Sequence, residues 1–190
     1  MVTTYDIRNA FGQLDRVQLS RWEKRGLLVR VRRGQYILAA KQDQVDVELL
    51  VNEIKNCYIS LEYALNYYNL IPEVPRKITA VTTARSETVE TPFGDFVYKK
   101  IKPVLFTGYV LKDSKVEGRQ IKIASLTKSV FDVVYFGSFG AVPDFEKLRL
   151  NFEELQAGFA ERDYLKWLNQ VSAVRLKRKL ELFLEFLVSH

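Results

Sequence analysis

The chain has little of what covalent, metal and membrane chemistry require. It holds one cysteine, Cys57, and one histidine, His190, at the last position. A lone thiol excludes an internal disulfide, and these two residues cannot build a thiolate or imidazole metal cluster. A histidine at the chain end is a poor base for a hydrolase triad, and the nine glycines form no phosphate-cradling loop of either common spacing. Cys57 lies beside Tyr58 and Ile59 without an obvious base, so it reads as a buried structural thiol. No catalytic residue, metal ligand or cofactor is expected, and the chain does not read as an enzyme. Long apolar runs are missing too: the longest charge-free apolar stretch, 133–143, falls well short of the roughly 18 residues that span a bilayer. The opening MVTTYDIR has no basic flank followed by an apolar run, so no secretory signal and a cytoplasmic location are expected. Internal repeats and low-complexity tracts are absent.

What the chain does have is apolar material for a core, 47% of 190 residues, and a net charge of +6. The charge is concentrated. Residues 1–40 hold eight cations (Arg8, Arg16, Arg21, Lys24, Arg25, Arg30, Arg32, Arg33) against three acids (Asp6, Asp15, Glu23), whereas the other 150 residues hold 21 cations and 20 acids. Such a local excess is the electrostatic footprint of a polyanion-binding module.

Within those forty residues, Thr3 or Thr4 can cap a short helix with Ile7, Ala10 and Phe11 at helical spacing, stopped by Gly12. Asp15, with Gln18 three positions on, predicts a capped second helix from about Arg16 to Arg25, ended by Gly26. Leu19 and Trp22 fall on its inner side with Glu23 nearby, while Val17, Gln18, Ser20, Arg21, Lys24 and Arg25 project away. The stretch VRVRRGQYIL then reads as a hairpin turning at Arg33-Gly34. That register pairs Val31 with Tyr36 and Val29 with Leu38 on one face and puts Arg30, Arg32 and Gln35 on the other. Two short helices followed by a basic hairpin is the order of a winged helix-turn-helix. On that reading Arg16, Val17, Gln18, Ser20, Arg21, Lys24 and Arg25 meet the major groove of double-stranded DNA. Arg30, Arg32, Arg33 and Gln35 of the wing meet phosphates or an adjacent minor groove.

Further on, residues 42–55 read as a helix leaving this module. Ser60 caps a helix that buries Leu61, Ala64, Leu65 and Tyr68 and ends before Pro72. The period then changes to that of strands over 78–83, 87–91 and 95–101, with Pro92-Phe93-Gly94 as a turn, and PVLFTGYVL and RQIKIA supply a fourth and fifth. Helices return after Ser125 and Asn151 and over 161–170 and 173–188. In the last one, Arg175, Lys177, Arg178 and Lys179 read as a solvated face balanced by Glu181 and Glu185. The expected fold class is α+β: a winged helix-turn-helix over 1–40, a helical connector over 41–57, and a domain of mixed sheet plus helices over 58–190 with a helical C-terminus.

Three central segments, ISLEYALNYYNLIPE, ITAVTTARSETVETPFGDFVYKKIKPVLFTGY and IASLTKSVFDVVYF, together with a winged-helix start ending in RVRRGQYIL, resemble the AbiEi family of antitoxin transcriptional regulators. The resemblance covers most of 4–136. It departs where the family has TPEKAL and this chain has Ser125-Leu126-Thr127-Lys128-Ser129-Val130, and at the N-terminus, where such modules often carry a further helix. It implies a repressor of an abortive-infection toxin–antitoxin operon that binds inverted repeats through its N-terminal domain. It also implies that the C-terminal domain counteracts a nucleotidyltransferase-like toxin as its partner.

Two other readings are open. A metal-dependent nuclease would draw on Glu62, Glu87, Glu90, Asp95, Lys99 and Lys100 around the strands. A ligand-responsive winged-helix repressor unrelated to a toxin would line a pocket with Tyr63, Tyr67, Tyr68, Phe93, Phe96 and Phe106, although such a cluster is more often core.

Overall fold

A computed structural model describes residues 1–3, 5, 7, 9, 16–138 and 145–189, the side chains of residues 2, 3 and 16 aside. It is an α+β chain with two sheets. Of the expected first helix, Tyr5, Ile7 and Asn9 are helical; Thr4, Ala10, Phe11, Gly12 and the expected cap Asp15 lie outside the described residues.

Helix α1 (Arg16–Lys24) ends as its glycine dictates. Gly26 takes φ of 67°, and the Leu27 N–H reaches back to the Trp22 carbonyl at 3.0 Å. Next come β2 (Leu28–Arg32) and β3 (Gln35–Leu38), and β1 (Val2–Thr3) adds to β3, giving a three-stranded sheet in the order β1-β3-β2. Leu19 and Trp22 of α1 close on Leu28, Tyr36 and Ile7 to form a small core of their own.

The hairpin differs from its expected register. Leu28 faces Leu38, Val29 faces Ile37 and Arg30 faces Tyr36, and an irregularity between Arg30 and Arg32 leaves Val31 without an opposite residue. A bulge turns the strand, so the apolar residues do not share one face. Leu28 and Tyr36 point into the small core, whereas Val31 and Ile37 point into the large core of the rest of the chain. Both sides of the hairpin are thereby buried, which simple alternation could not anticipate.

The segment 42–55 is not one helix. A 3-10 turn (Ala39–Gln44) precedes α2 (Val47–Ile54), because the Asp46 carboxylate accepts the Glu48 and Leu49 N–H groups at 3.0 and 3.2 Å and fixes the start there. Leu49, Leu50, Val51 and Ile54 of α2 sink into the large core.

That core surrounds a six-stranded mixed sheet in the order β6-β7-β5-β4-β9-β8: β4 (Cys57–Ile59), β5 (Ile78–Thr82), β6 (Glu87–Thr91), β7 (Gly94–Lys100), β8 (Tyr109–Asp113) and β9 (Gln120–Ala124). The β5–β7 and β4–β9 pairs are parallel and the others antiparallel. β4 has no counterpart in the sequence reading; three residues buried on both faces carry no alternation to detect. The expected fourth strand shortens at its start, where Pro103–Leu105 forms a 3-10 turn. Cys57 and Tyr98 face α2, with the Tyr98 hydroxyl donating to the Val51 carbonyl at 3.0 Å, while Tyr58 points to the opposite face.

On that opposite face lie α3 (Leu61–Tyr67) and α4 (Leu126–Phe136), with α5 (Phe152–Gly158), α6 (Glu161–Leu168) and α7 (Val174–Val188) gathered around α4. Ser125 and Asn151 cap α4 and α5 as expected, each accepting a backbone N–H. Ser60 precedes α3 as expected, but its hydroxyl goes elsewhere. In α7, Arg178 pairs with Glu181 and Glu185, as the solvated reading required, but Lys179 does not. Its ammonium donates to the Tyr135 and Gly137 carbonyls at 3.1 and 2.6 Å and so caps the C-terminus of α4, where partial burial lowers its pKa. Among the described residues no helix is long and apolar enough to cross a membrane.

Candidate nucleic-acid interface

Docking of α1 on the hairpin sorts its side chains. Leu19 is buried and Trp22 half-buried against Leu28 and Tyr36, which turns Val17, Gln18, Ser20, Arg21, Lys24 and the following Arg25 outward; all six are exposed. The Arg16 side chain lies outside the described residues. Glu23, between the two sets, is half-buried with a carboxylate oxygen that accepts no hydrogen bond from the described residues. Arg21, Lys24 and Arg25 have no ion-pair partner among the described residues. One face of α1 is therefore core and the other is cationic and wet.

The hairpin divides its own polar residues. At the tip Arg33 precedes Gly34, whose φ of 82° is the left-handed conformation the turn needs. Arg33 and Arg30 are exposed and unpaired among the described residues. Arg32 is occupied. Its Nε donates to Gln35 Oε1 at 2.7 Å, one terminal nitrogen donates to the Ile54 carbonyl at 3.2 Å, and the other sits 3.6 Å from Glu87 at the start of β6. Lys55 pairs with the same carboxylate and also donates to the Arg85 carbonyl at 3.0 Å. The Lys55 hydrogen bond, with Arg32 and Arg85 close by, holds the Glu87 carboxyl below its ordinary range. Arg32 and Gln35 thus tie the hairpin to the large sheet, whereas Arg30 and Arg33 remain available.

The residue sets of the two other readings are dispersed or consumed. Asp95 pairs with Lys77 at 3.0 Å and has Glu90 opposite it on β6, while Glu87, three residues along the same strand, is held by Lys55 and Arg32. Glu62 is exposed on α3. Of the aromatic set, Phe96 is sealed in the core, the Tyr63 hydroxyl donates to Glu48 at 2.7 Å, and that of Tyr68 donates to the Ala124 carbonyl at 2.8 Å. Tyr67 is exposed and Phe93 and Phe106 pack on the rim of the core. Cys57 is buried, and burial pushes its thiol up to about 12.

A second polar cluster escaped the sequence reading. Lys128 and Asp132, one turn apart on α4, form an ion pair with both side chains fully buried. The Ser60 and Tyr58 hydroxyls donate to the other oxygen of Asp132 at 2.7 and 3.0 Å. The ammonium lies over Phe131, Trp167 and Tyr58, 4.7, 5.4 and 5.7 Å from the ring centres. Burial pulls the Lys128 pKa down and pushes that of Asp132 up, against their mutual attraction. Gly108, at φ of 79°, backs the cluster so closely that a β-carbon there would overlap the Trp167 ring. The available signal was a lysine and an aspartate at i and i+4 in a helix whose other positions are nearly all apolar or small, which leaves no water-facing stripe for them. Every polar atom in this cluster is matched to another, so it braces α3, α4, β4 and α6 and presents nothing to solvent.

No protein-family model matches the chain, and no curated protein matches it either.

Proposed function

We propose that the chain is a DNA-binding transcriptional regulator of the antitoxin type, with residues 1–40 acting as a winged helix-turn-helix on duplex DNA. In this reading α1 enters the major groove. Arg21 and Gln18 read guanine or adenine edges, Val17 meets a thymine methyl, and Arg16, Ser20, Lys24 and Arg25 contact phosphates or neighbouring base edges. Arg30 and Arg33 reach phosphates beside the groove, and Arg32 with Gln35 sets the angle at which the hairpin presents them. One observation carries the proposal: Arg21, Lys24, Arg25, Arg30 and Arg33 stand in solvent without ion-pair partners among the described residues, on a head with three acids, while the remainder of the chain is close to neutral. The resemblance to AbiEi regulators adds the biological role. The protein represses its own operon at paired inverted half-sites and counteracts a nucleotidyltransferase-like toxin encoded beside it. Binding, not catalysis, is the activity.

The test is fluorescence anisotropy of a labelled duplex from the upstream region, titrated with the full chain between about 50 and 200 mM salt. Binding that weakens steeply with salt, and is lost in the Arg21→Ala/Arg30→Ala/Arg33→Ala variant, supports the proposal. A full chain that ignores DNA at low ionic strength, or a triple variant that binds like the parent, removes it. Co-expression with a neighbouring nucleotidyltransferase tests the antitoxin role: growth restored by this chain is the expected result.

A further inference from the structure

A cavity of about 360 Å³ lies in the seam between the small N-terminal unit and the rest of the molecule. That is inside the range of roughly 300 to 1,000 Å³ found for small-molecule sites, which favour seams of this kind. Its walls come from four separate elements. The hairpin supplies Ile37 and Leu38, the 3-10 turn Lys41, α2 Leu49, and the loop between β8 and β9 Val116. The floor is apolar, with Ile37 and Leu49 buried, while Leu38 and Val116 at the mouth are exposed.

The charges around this floor are unequal in what they have left to give. The Asp46 carboxylate already accepts four hydrogen bonds, from the N–H groups of Glu48, Leu49 and Lys115 and from the Ser114 hydroxyl. Glu53 is matched by Arg119 and by the amino group of Met1. Lys41 has no partner among the described residues. Among the described residues lining this apolar slot, Lys41 is therefore the cation without an ion-pair partner, and the two carboxylates are spent. That combination selects an amphipathic molecule with a single negative charge and an alkyl or aryl body, and it disfavours a cation of the same shape.

We propose that this seam binds a small amphipathic monocarboxylate, its carboxylate on Lys41 and its apolar body between the hairpin and α2. Since the walls belong to both parts of the chain, occupancy links the position of the hairpin to the concentration of the acid. If the N-terminal unit binds DNA as proposed above, acid and DNA alter each other's affinity by one common factor.

Decanoate is the probe, titrated into the full chain by calorimetry and followed by methyl NMR. The expected result is saturable one-to-one binding with shifts at Ile37, Leu38, Leu49 and Val116 together. Lys41→Glu, a change on an exposed residue, should weaken binding by about tenfold or more, the worth of one charge-assisted hydrogen bond. Decyltrimethylammonium should not bind. The proposal fails if decanoate does not bind, if its shifts lie away from the seam, if Lys41→Glu leaves affinity unchanged, or if the cation binds equally well. A protein that takes up decanoate in the seam but binds no duplex would sink the DNA reading and leave this one standing.

Discussion

The N-terminal unit and the body behind it treat charge in opposite ways. In the former, Arg21, Lys24, Arg25, Arg30 and Arg33 stand in water around a core of a few side chains, and no ion pair among the described residues consumes them. In the body, Lys128 and Asp132 are withdrawn from water altogether and satisfied by one another, two hydroxyls and three aromatic rings. The N-terminal unit leaves its cations in solvent, whereas the body encloses an ion pair on every side and uses it to brace the fold. Between the two regions sits Arg32, a wing residue that the body has claimed through Glu87 and the Ile54 carbonyl.

The comparison breaks most visibly at the buried pair. Lys128→Met leaves Asp132 buried without its counter-ion and should cost about 3–5 kcal/mol in urea unfolding of the full chain, whereas Lys128→Met combined with Asp132→Asn, which removes the charge and keeps an acceptor for the Ser60 and Tyr58 hydroxyls, should recover part of that loss. A single variant that unfolds like the parent would mean the pair is not enclosed in solution. Arg32→Ala comes next. It removes hydrogen bonds to Gln35 and to a backbone carbonyl, and about 1–2 kcal/mol is expected from denaturation, with faster amide exchange in β2 and β3 as the signature of a loosened hairpin.

Acid should then act on the seam before it acts on the cationic face. Burial raises the Asp46 carboxyl, but the Ser114 hydroxyl and the N–H groups of Lys115, Leu49 and Glu48 outweigh it and hold the group below its usual value of 3.8. A carboxyl more acidic when folded contributes stability above pH 3.8 that disappears as pH falls through its lower, folded value. Asp46→Asn should therefore flatten the acid limb of a stability-against-pH curve and leave the neutral limb parallel. Smallest in stability is Arg33→Ala, expected within about 0.5 kcal/mol of the parent. The same change should nonetheless reduce the log–log salt slope of duplex binding by about one, because a single phosphate contact is lost. An Arg33 variant that lost stability but not salt dependence would invert the contrast between the two regions.

Much of this could be read before any coordinates. Caps at Ser125 and Asn151, the glycine stop at position 26, the change from helical to strand period near residue 78 and the crowding of cations into residues 1–40 are all local, set by residues within a turn or two of each other. They were sufficient for an α+β chain and for an exposed cationic face on α1. Decisions made by distant partners were not accessible. Whether Arg32 points to solvent depends on Glu87, 55 positions away, and on a bulge that reverses the strand's faces. The Ser60 hydroxyl turns from its helix to Asp132 across 72 positions, and β4 owes its place to strands on either side instead of any pattern of its own. Local propensity is a property of neighbouring backbone and side-chain geometry, so the sequence carries it directly. Burial and charge pairing exist only once separate segments share a volume from which water has been expelled, and that is what the tertiary fold alone decided.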